Sequence, residues 1–176
     1  PPCDTGPDAL FVAYFASAEF GCFLSLGWEL PERILDLFTE FRAETNGLAV
    51  RHGNGLLGAL AYFGLPMMGG DEKTTMRDLI LTGGPWSDDE QAAILGYCQE
   101  DVDALLRLLP AMVGRLVPGN DCGSQRLGHA LLRGRYMAGV ARMEFNGIPI
   151  DVKSLRRLQT GWDAIKLALI GEVDED

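Results

Sequence analysis

Tyr97 and Asp101 stand four residues apart in the run Gly96-Tyr-Cys-Gln-Glu-Asp-Val-Asp103. At 3.6 residues per turn this spacing sets a phenol and a carboxylate on one helix face, about 6 Å apart along the axis. The pair suits metal-assisted hydrolysis, in which the carboxylate holds a divalent cation and the phenol orients a water made more acidic by the cation's field. The bland alternative is a half-buried core tyrosine beside a solvated aspartate. A second acid, Glu19, sits in Tyr14-Phe-Ala-Ser-Ala-Glu19-Phe-Gly-Cys-Phe-Leu24. Among so many apolar neighbours it needs a partner or a metal if buried, or else it complements a helix N-terminus from the surface. Asp36, after Ile34-Leu35, is a third candidate acid, although an aspartate there is more often a helix cap.

These residues need elements to hold them. Ala9 to Ala16 is a short, aromatic-rich apolar run that fits a buried central strand. From Ser17, Phe20, Phe23, Leu24 and Trp28 recur at helical spacing until Leu30-Pro31. Ile34 to Phe38 is a candidate second strand, followed by a polar segment, Thr39 to Asn46, and a Gly/His/Asn loop up to Gly55. Leu56, Leu57, Leu60, Ala61 and Phe63 predict a compact helix stopped by Gly64 and Pro66. After a Gly-rich connection at Met67 to Asp71, Thr75 to Leu81 predicts another short helix. Ser87-Asp-Asp-Glu90 is a capping box opening a long helix with Ala93, Ile94, Tyr97, Val102, Leu105, Leu106 and Leu109 on its apolar positions; Pro110 kinks or ends it. Gly128 to Phe145 predicts a further long helix stopped by Asn146-Gly147, and Asp151 can cap a last helix reaching about Ile170.

The 176 residues are 47% hydrophobic and 23% charged, which fits one folded domain or slightly more. Acids outnumber bases 25 to 15, for a formal charge of −10, so any phosphate-binding surface must be local. The best local source is the Gly128–Phe145 helix with its approach: Arg126 and Arg133 share a face, as do Arg135 and Arg142. These could grip phosphates or form the solvated side of an amphipathic helix. Lys73, just after the Gly-rich connection, is a further phosphate candidate. His52 and His129 lack ligand spacing, and Trp28, Trp86 and Trp162 are expected to pack. Cys3, Cys22, Cys98 and Cys122 form no C-x-x-C pair and are expected as buried thiols in a reducing compartment. No apolar stretch approaches the roughly 20 residues that span a bilayer. The opening Pro-Pro-Cys-Asp-Thr-Gly-Pro has no basic start and no apolar signal core, so the chain is expected to be a piece of something longer.

Taken in order, these segments resemble a known family. Tyr97-x-x-x-Asp101, continuing Val102-Asp-Ala-Leu-Leu, resembles the third motif of the DEDDy 3′–5′ exonucleases, the proofreading domain of family-A DNA polymerases. Phe11 to Leu24 is similar to that family's second motif, a strand leading into H-N-x-x-[FY]-D, with Tyr14 and Phe15 at the His-Asn positions and Glu19 at the aspartate. Ile34-Leu-Asp36 resembles the next strand. Gly134-Arg-Tyr136 through Met143-Glu-Phe-Asn-Gly-Ile-Pro-Ile-Asp151 resembles the connection into the polymerase domain, where E-x-x-G-[IV]-x-[IV]-D is typical; this is the most specific match. The sequence departs from the family in two respects. The D-x-E first motif is missing, since only thirteen residues precede Tyr14 and Asp4-Thr5-Gly6 lacks the second acid. Phe15 and Glu19 replace an Asn and an Asp.

The resemblance implies a ribonuclease H-like α/β exonuclease fold, truncated and predominantly helical, followed by helices that lead into a polymerase domain. Residues 1–117 would be the C-terminal part of the exonuclease domain, 118–127 a linker, and 128–176 the start of the connector. It implies two Mg²⁺ (or Mn²⁺) ions in the intact parent, held by Asp101, Glu19 and the first motif, with Tyr97 positioning the attacking water. The partners would be a single-stranded 3′ end, primer–template DNA and the parent's polymerase domain, with no membrane, in bacterial or phage-encoded cytoplasmic replication. The fragment alone would be inactive. The competing expectations are a catalytically inactive helical module that binds DNA or protein, and a helical scaffold in which Glu19 and Asp101 lie far apart. A shared two-metal site needs those carboxyls within roughly 8 Å.

Overall fold

The computed structural model describes residues 1–66, 70–116 and 122–174. Its elements run β1 (Phe11–Ala13), α1 (Ala16–Ser25), β2 (Ile34–Asp36), α2 (Leu37–Glu44), α3 (Leu56–Tyr62), α4 (Gly70–Leu81), α5 (Asp88–Leu116), α6 (Cys122–Asn146) and α7 (Val152–Asp174). It is a mixed α/β arrangement, mostly helical, with a small two-stranded sheet. β1 and β2 are parallel, pairing Phe11 with Ile34, Val12 with Leu35 and Ala13 with Asp36.

The period-2 alternation of the strands divides the core into two clusters. Leu35, with Val12 beside it, faces Leu37, Phe41, Leu60, Leu108 and Met112. Ala13 and Ile34 face Ala16, Phe20, Met137 and Ala141 on the other side. Between strand and helix the backbones nearly touch at Gly134, where a Cβ would lie 2.0 Å from the Ile34 carbonyl oxygen. Only glycine allows α6 to approach β2 so closely.

The elements begin and end where side chains meet orphaned amides. At the start of α5, the Ser87 amide donates to Glu90 Oε2 (2.8 Å) and the Glu90 amide to Ser87 Oγ (3.3 Å), the reciprocal bonds expected of a capping box. Asp151 Oδ1 likewise accepts from the Lys153 and Ser154 amides at the head of α7. Pro110 does not end α5. Leu106, whose carbonyl loses its amide partner, is 65% exposed, so water can take that place.

Several expectations are corrected. The expected strand Ala9–Ala16 is three residues long, because Phe15 turns into the left-handed region (φ 74°) and Ala16 already begins α1. The polar segment from Thr39 is helical, since α2 is launched by Asp36, whose side chain accepts from the Phe38 amide. α6 starts at Cys122, so Cys122 to Leu127 of the expected linker are helical; residues 118–121 lie outside the described residues. By compactness the chain forms units of Pro1–Phe145 and Asn146–Asp176. Cys3, Cys22 and Cys98 are exposed rather than buried, because each projects from a loop or from the solvent side of a helix; the side chain of Cys122 lies outside the described residues. α7 has no buried residue, and Trp162 on it is 55% exposed. Among the described residues no helix is long and apolar enough to cross a membrane.

The Gly134 contact is directly testable. Gly134→Ala is expected to destabilise the protein by about 1–3 kcal/mol through overpacking against β2. Gly128→Ala, where an added Cβ meets nothing within 4 Å, should instead stabilise α6 by roughly 0.5–1 kcal/mol. Urea denaturation of both variants checks the pair.

Candidate functional site

The position of Glu19 begins with Asp36. Asp36 is fully buried at the end of β2, and its Oδ1 accepts from the amides of Phe15 (3.0 Å) and Phe38 (2.9 Å) while Oδ2 accepts from Ala16 (3.2 Å). Burial pushes its carboxyl up, and the backbone hydrogen bonds of Phe15, Phe38, Ala16 and Thr39 oppose that rise. Asp36 therefore acts as the cap its residue type suggested, for two helices at once. With Phe15 and Ala16 fixed on it, Glu19 falls in the first turn of α1.

α5 presents the other half. Tyr97 and Asp101 are both half-buried on it. The Tyr97 phenol is raised above its ordinary value by burial first, then by the charge of Asp101 and a side-chain hydrogen bond to it; nearby Cys98 adds slightly and Arg77 opposes. Phenol and carboxylate thus meet as their spacing predicts. Glu19 lies near enough to feel the charge of Asp101. Its carboxyl is raised by desolvation, and next by the charge of Asp101. Its surface remains open to solvent, so the desolvation comes from the apolar atoms crowding one side of it rather than from enclosure.

One side of Asp101 borders a cleft of about 280 Å³ that also touches Leu56, Leu60, Glu100, Asp103 and Arg107. Two cations that sequence reasoning passed over stand near the acids: Arg77, on α4, and Arg107, two turns along α5 from Glu100. Neither carries a motif, and Arg77 is brought to Tyr97 only by the packing of α4 on α5.

The donor set suits a hard cation. Mg²⁺ prefers carboxylate oxygens and is usually bound through one or two of them together with water and substrate phosphates. Glu19 and Asp101 supply two, and among the described residues no group of three or more His, Cys, Asp or Glu gathers as a ligand cluster.

The arginines expected to bind phosphate separate into different roles. Arg133 is bound to Glu40 by two 2.7 Å hydrogen bonds, Nε to Oε1 and Nη2 to Oε2. Glu40 is 1% exposed, and a buried carboxylate needs such a partner, so the fork of Arg133 is taken up in joining α2 to α6. Arg126 donates to the Arg115 carbonyl (3.3 Å) and borders a cleft shared with Glu40 and Glu44, a poor setting for a phosphate. Arg135 faces a different cleft, with Arg142. The side chain of Lys73 lies outside the described residues.

Near the acids, Phe15 combines a strained backbone with an exposed ring, packed edge-on against Phe38 at 5.1 Å. Asn and Asp tolerate this left-handed conformation far better than an aromatic residue does. An unfavourable residue held there by surrounding bonds is a recognised mark of functional regions.

Compared with protein-family models, characterised proteins and solved structures, the chain matches none of them.

The electrostatics yield a pH prediction. A carboxyl raised in the folded state binds its proton more tightly there than when unfolded, so Glu19 lowers stability as pH climbs above its ordinary 4.5. Glu19→Gln should therefore be more stable than the native protein at pH 7, by about 0.5 kcal/mol, the scale of a partly solvated charge pair. The difference should close as pH falls below the ordinary glutamate range. Melting temperatures of both proteins between pH 3.5 and pH 8 test it.

Proposed function

We propose that the chain is part of a metal-dependent 3′–5′ exonuclease of the DEDDy type, within a family-A DNA polymerase, with Glu19, Asp101 and Tyr97 in its active site. The observation that carries this reading is that Glu19, eighty-two positions before Asp101 in sequence, lies near enough to feel its charge, while the Tyr97 phenol is bonded to the same aspartate. The parallel strand pair that leads into Glu19 and Asp36 fits the centre of a ribonuclease H-like sheet. Among the described residues the second edge of β1 carries no strand, and a D-x-E strand of the parent pairing there would complete the ligand set.

In this mechanism Asp101 and Glu19 would hold Mg²⁺ or Mn²⁺, which when bound would supply a water of lowered pKa and neutralise charge developing on the scissile phosphate. Tyr97, held by its bond to Asp101, orients that water; its raised pKa keeps the phenol protonated and able to donate. Arg77 and Arg107 are placed to meet the negative charge of an entering strand. The exposed Phe15 ring is available to stack on a terminal base. DNA with a single-stranded 3′ end is the proposed substrate, and the polymerase domain the proposed neighbour in the parent.

The test uses the longer parent chain. Asp101→Asn should lower Mg²⁺-dependent degradation of a 3′-labelled single-stranded oligonucleotide by at least about a thousandfold, as loss of a metal ligand does, while leaving DNA binding in EDTA unchanged. Tyr97→Phe should keep metal binding and lose about tenfold to a hundredfold in rate. Degradation that persists in Asp101→Asn removes Asp101 from the site. A parent that binds DNA yet never degrades it, with any divalent metal, would mark the module as a binding domain without catalysis.

A further inference from the structure

A second cleft, of about 470 Å³, lies between the residues entering β2 and one side of α6. Because the strands are parallel and Ile34 pairs with Phe11, it sits at the end of the sheet opposite the one from which Glu19 departs. It is independent of the acidic pair.

Its charged residues are Arg135, Arg142 and Glu32. Arg135 and Arg142 are two helical turns apart, about 10.5 Å along α6, and their long side chains can close on one phosphate or hold two in succession. Among the described residues, the arginines in ion pairs are Arg115, with Glu44, and Arg133, with Glu40. Both guanidiniums of this cleft are therefore available in a protein of formal charge −10, where free local positive charge is scarce.

The wall between them is apolar. Leu30, Pro31, Ile34 and Ala138 line it, and Gly139 lies on it midway between the arginines. A Cβ at Gly139 would meet nothing within 4 Å, so packing does not require glycine there, although glycine inside a helix costs about 1 kcal/mol relative to alanine. What glycine does provide is a bare floor over which a flat group can lie close to the helix. Glu32 adds one acceptor, suited to a ribose hydroxyl or a base amino group. Paired cationic forks, an apolar wall, a bare floor and one acceptor match a phosphate ester joined to a planar, partly polar ring, and the volume is within the range of small-molecule sites.

We propose that this cleft binds a nucleoside phosphate. The same chemistry is offered by a free mononucleotide and by a nucleotide within a single strand, and the two sources separate experimentally.

Binding of AMP, of inorganic phosphate and of a ten-residue oligothymidylate to the full chain is measured by calorimetry in EDTA, where the proposed metal chemistry is silent. Arg135→Glu and Arg142→Glu should each weaken binding by at least about tenfold, the effect of removing one charge-assisted contact. Gly139→Leu keeps both arginines but fills the floor, and should weaken binding similarly with an unchanged or higher melting temperature. AMP binding that the oligonucleotide cannot outcompete identifies a free nucleotide as ligand; an oligonucleotide that binds at least tenfold tighter than AMP identifies a strand. Either result supports the proposal. Absence of binding by both AMP and the oligonucleotide overturns it. So does binding that survives all three substitutions, or inorganic phosphate binding as tightly as AMP, which would leave the apolar wall without a role.

Discussion

A single buried carboxylate, that of Asp36, decides where the two chain segments after the strands can go. It has no exposed surface, and a charge so placed is tolerable only with donors around it. The donors are backbone amides at the starts of α1 and α2, so satisfying Asp36 fixes both helices against the strand end at once. Phe15 is held in a left-handed conformation, against its residue preference, because its amide is one of those donors. Glu19 then follows one turn into α1. Moving Asp36, or leaving it without its amides, would move Glu19 away from α5.

The acids of this protein fall into contrasting electrostatic situations. Glu40 is as buried as Asp36 but has a full cationic partner in Arg133, and the pair ties α2 to α6. Glu19 instead feels the charge of Asp101, which, after desolvation, makes its ionisation more costly. In a chain already rich in acids such an arrangement gives no stability. A divalent cation held between the two groups would offset that cost, which is why the pair, rather than the better-buried Asp36 or Glu40, is the proposed reactive centre.

Local features were readable from sequence, and long-range ones were not. The capping box at Ser87, the Asp151 cap and the shared face of Tyr97 and Asp101 depend on spacings of two to four residues, and each forms the bonds that its spacing implies. Arg133 shows the limit. On helical periodicity it belongs to a basic stripe, yet its partner Glu40 is ninety-three residues away, and no local pattern reveals that a polar-looking segment from Thr39 hides a fully buried acid. The helix over Leu37–Glu44 is hidden for a related reason: its polar stretch from Thr39 has little apolar periodicity, and its launching cap, Asp36, has a residue type that suits metal binding as well as capping. The short strand was overextended because apolar residues continue to Ala16, while the turn at Phe15 is imposed by a carboxylate twenty-one residues later. Arg77 and Arg107 carry no motif, and only the packing of α3, α4 and α5 places them near the acids.

The most direct test is the titration of the Glu19 side-chain carboxyl, followed by NMR with and without Mg²⁺. The account predicts that Glu19 titrates above its ordinary 4.5, that millimolar Mg²⁺ brings the titration down, and that Asp101→Asn abolishes this response. A Glu19 that titrates at its ordinary value and ignores Mg²⁺ in the native protein would contradict it.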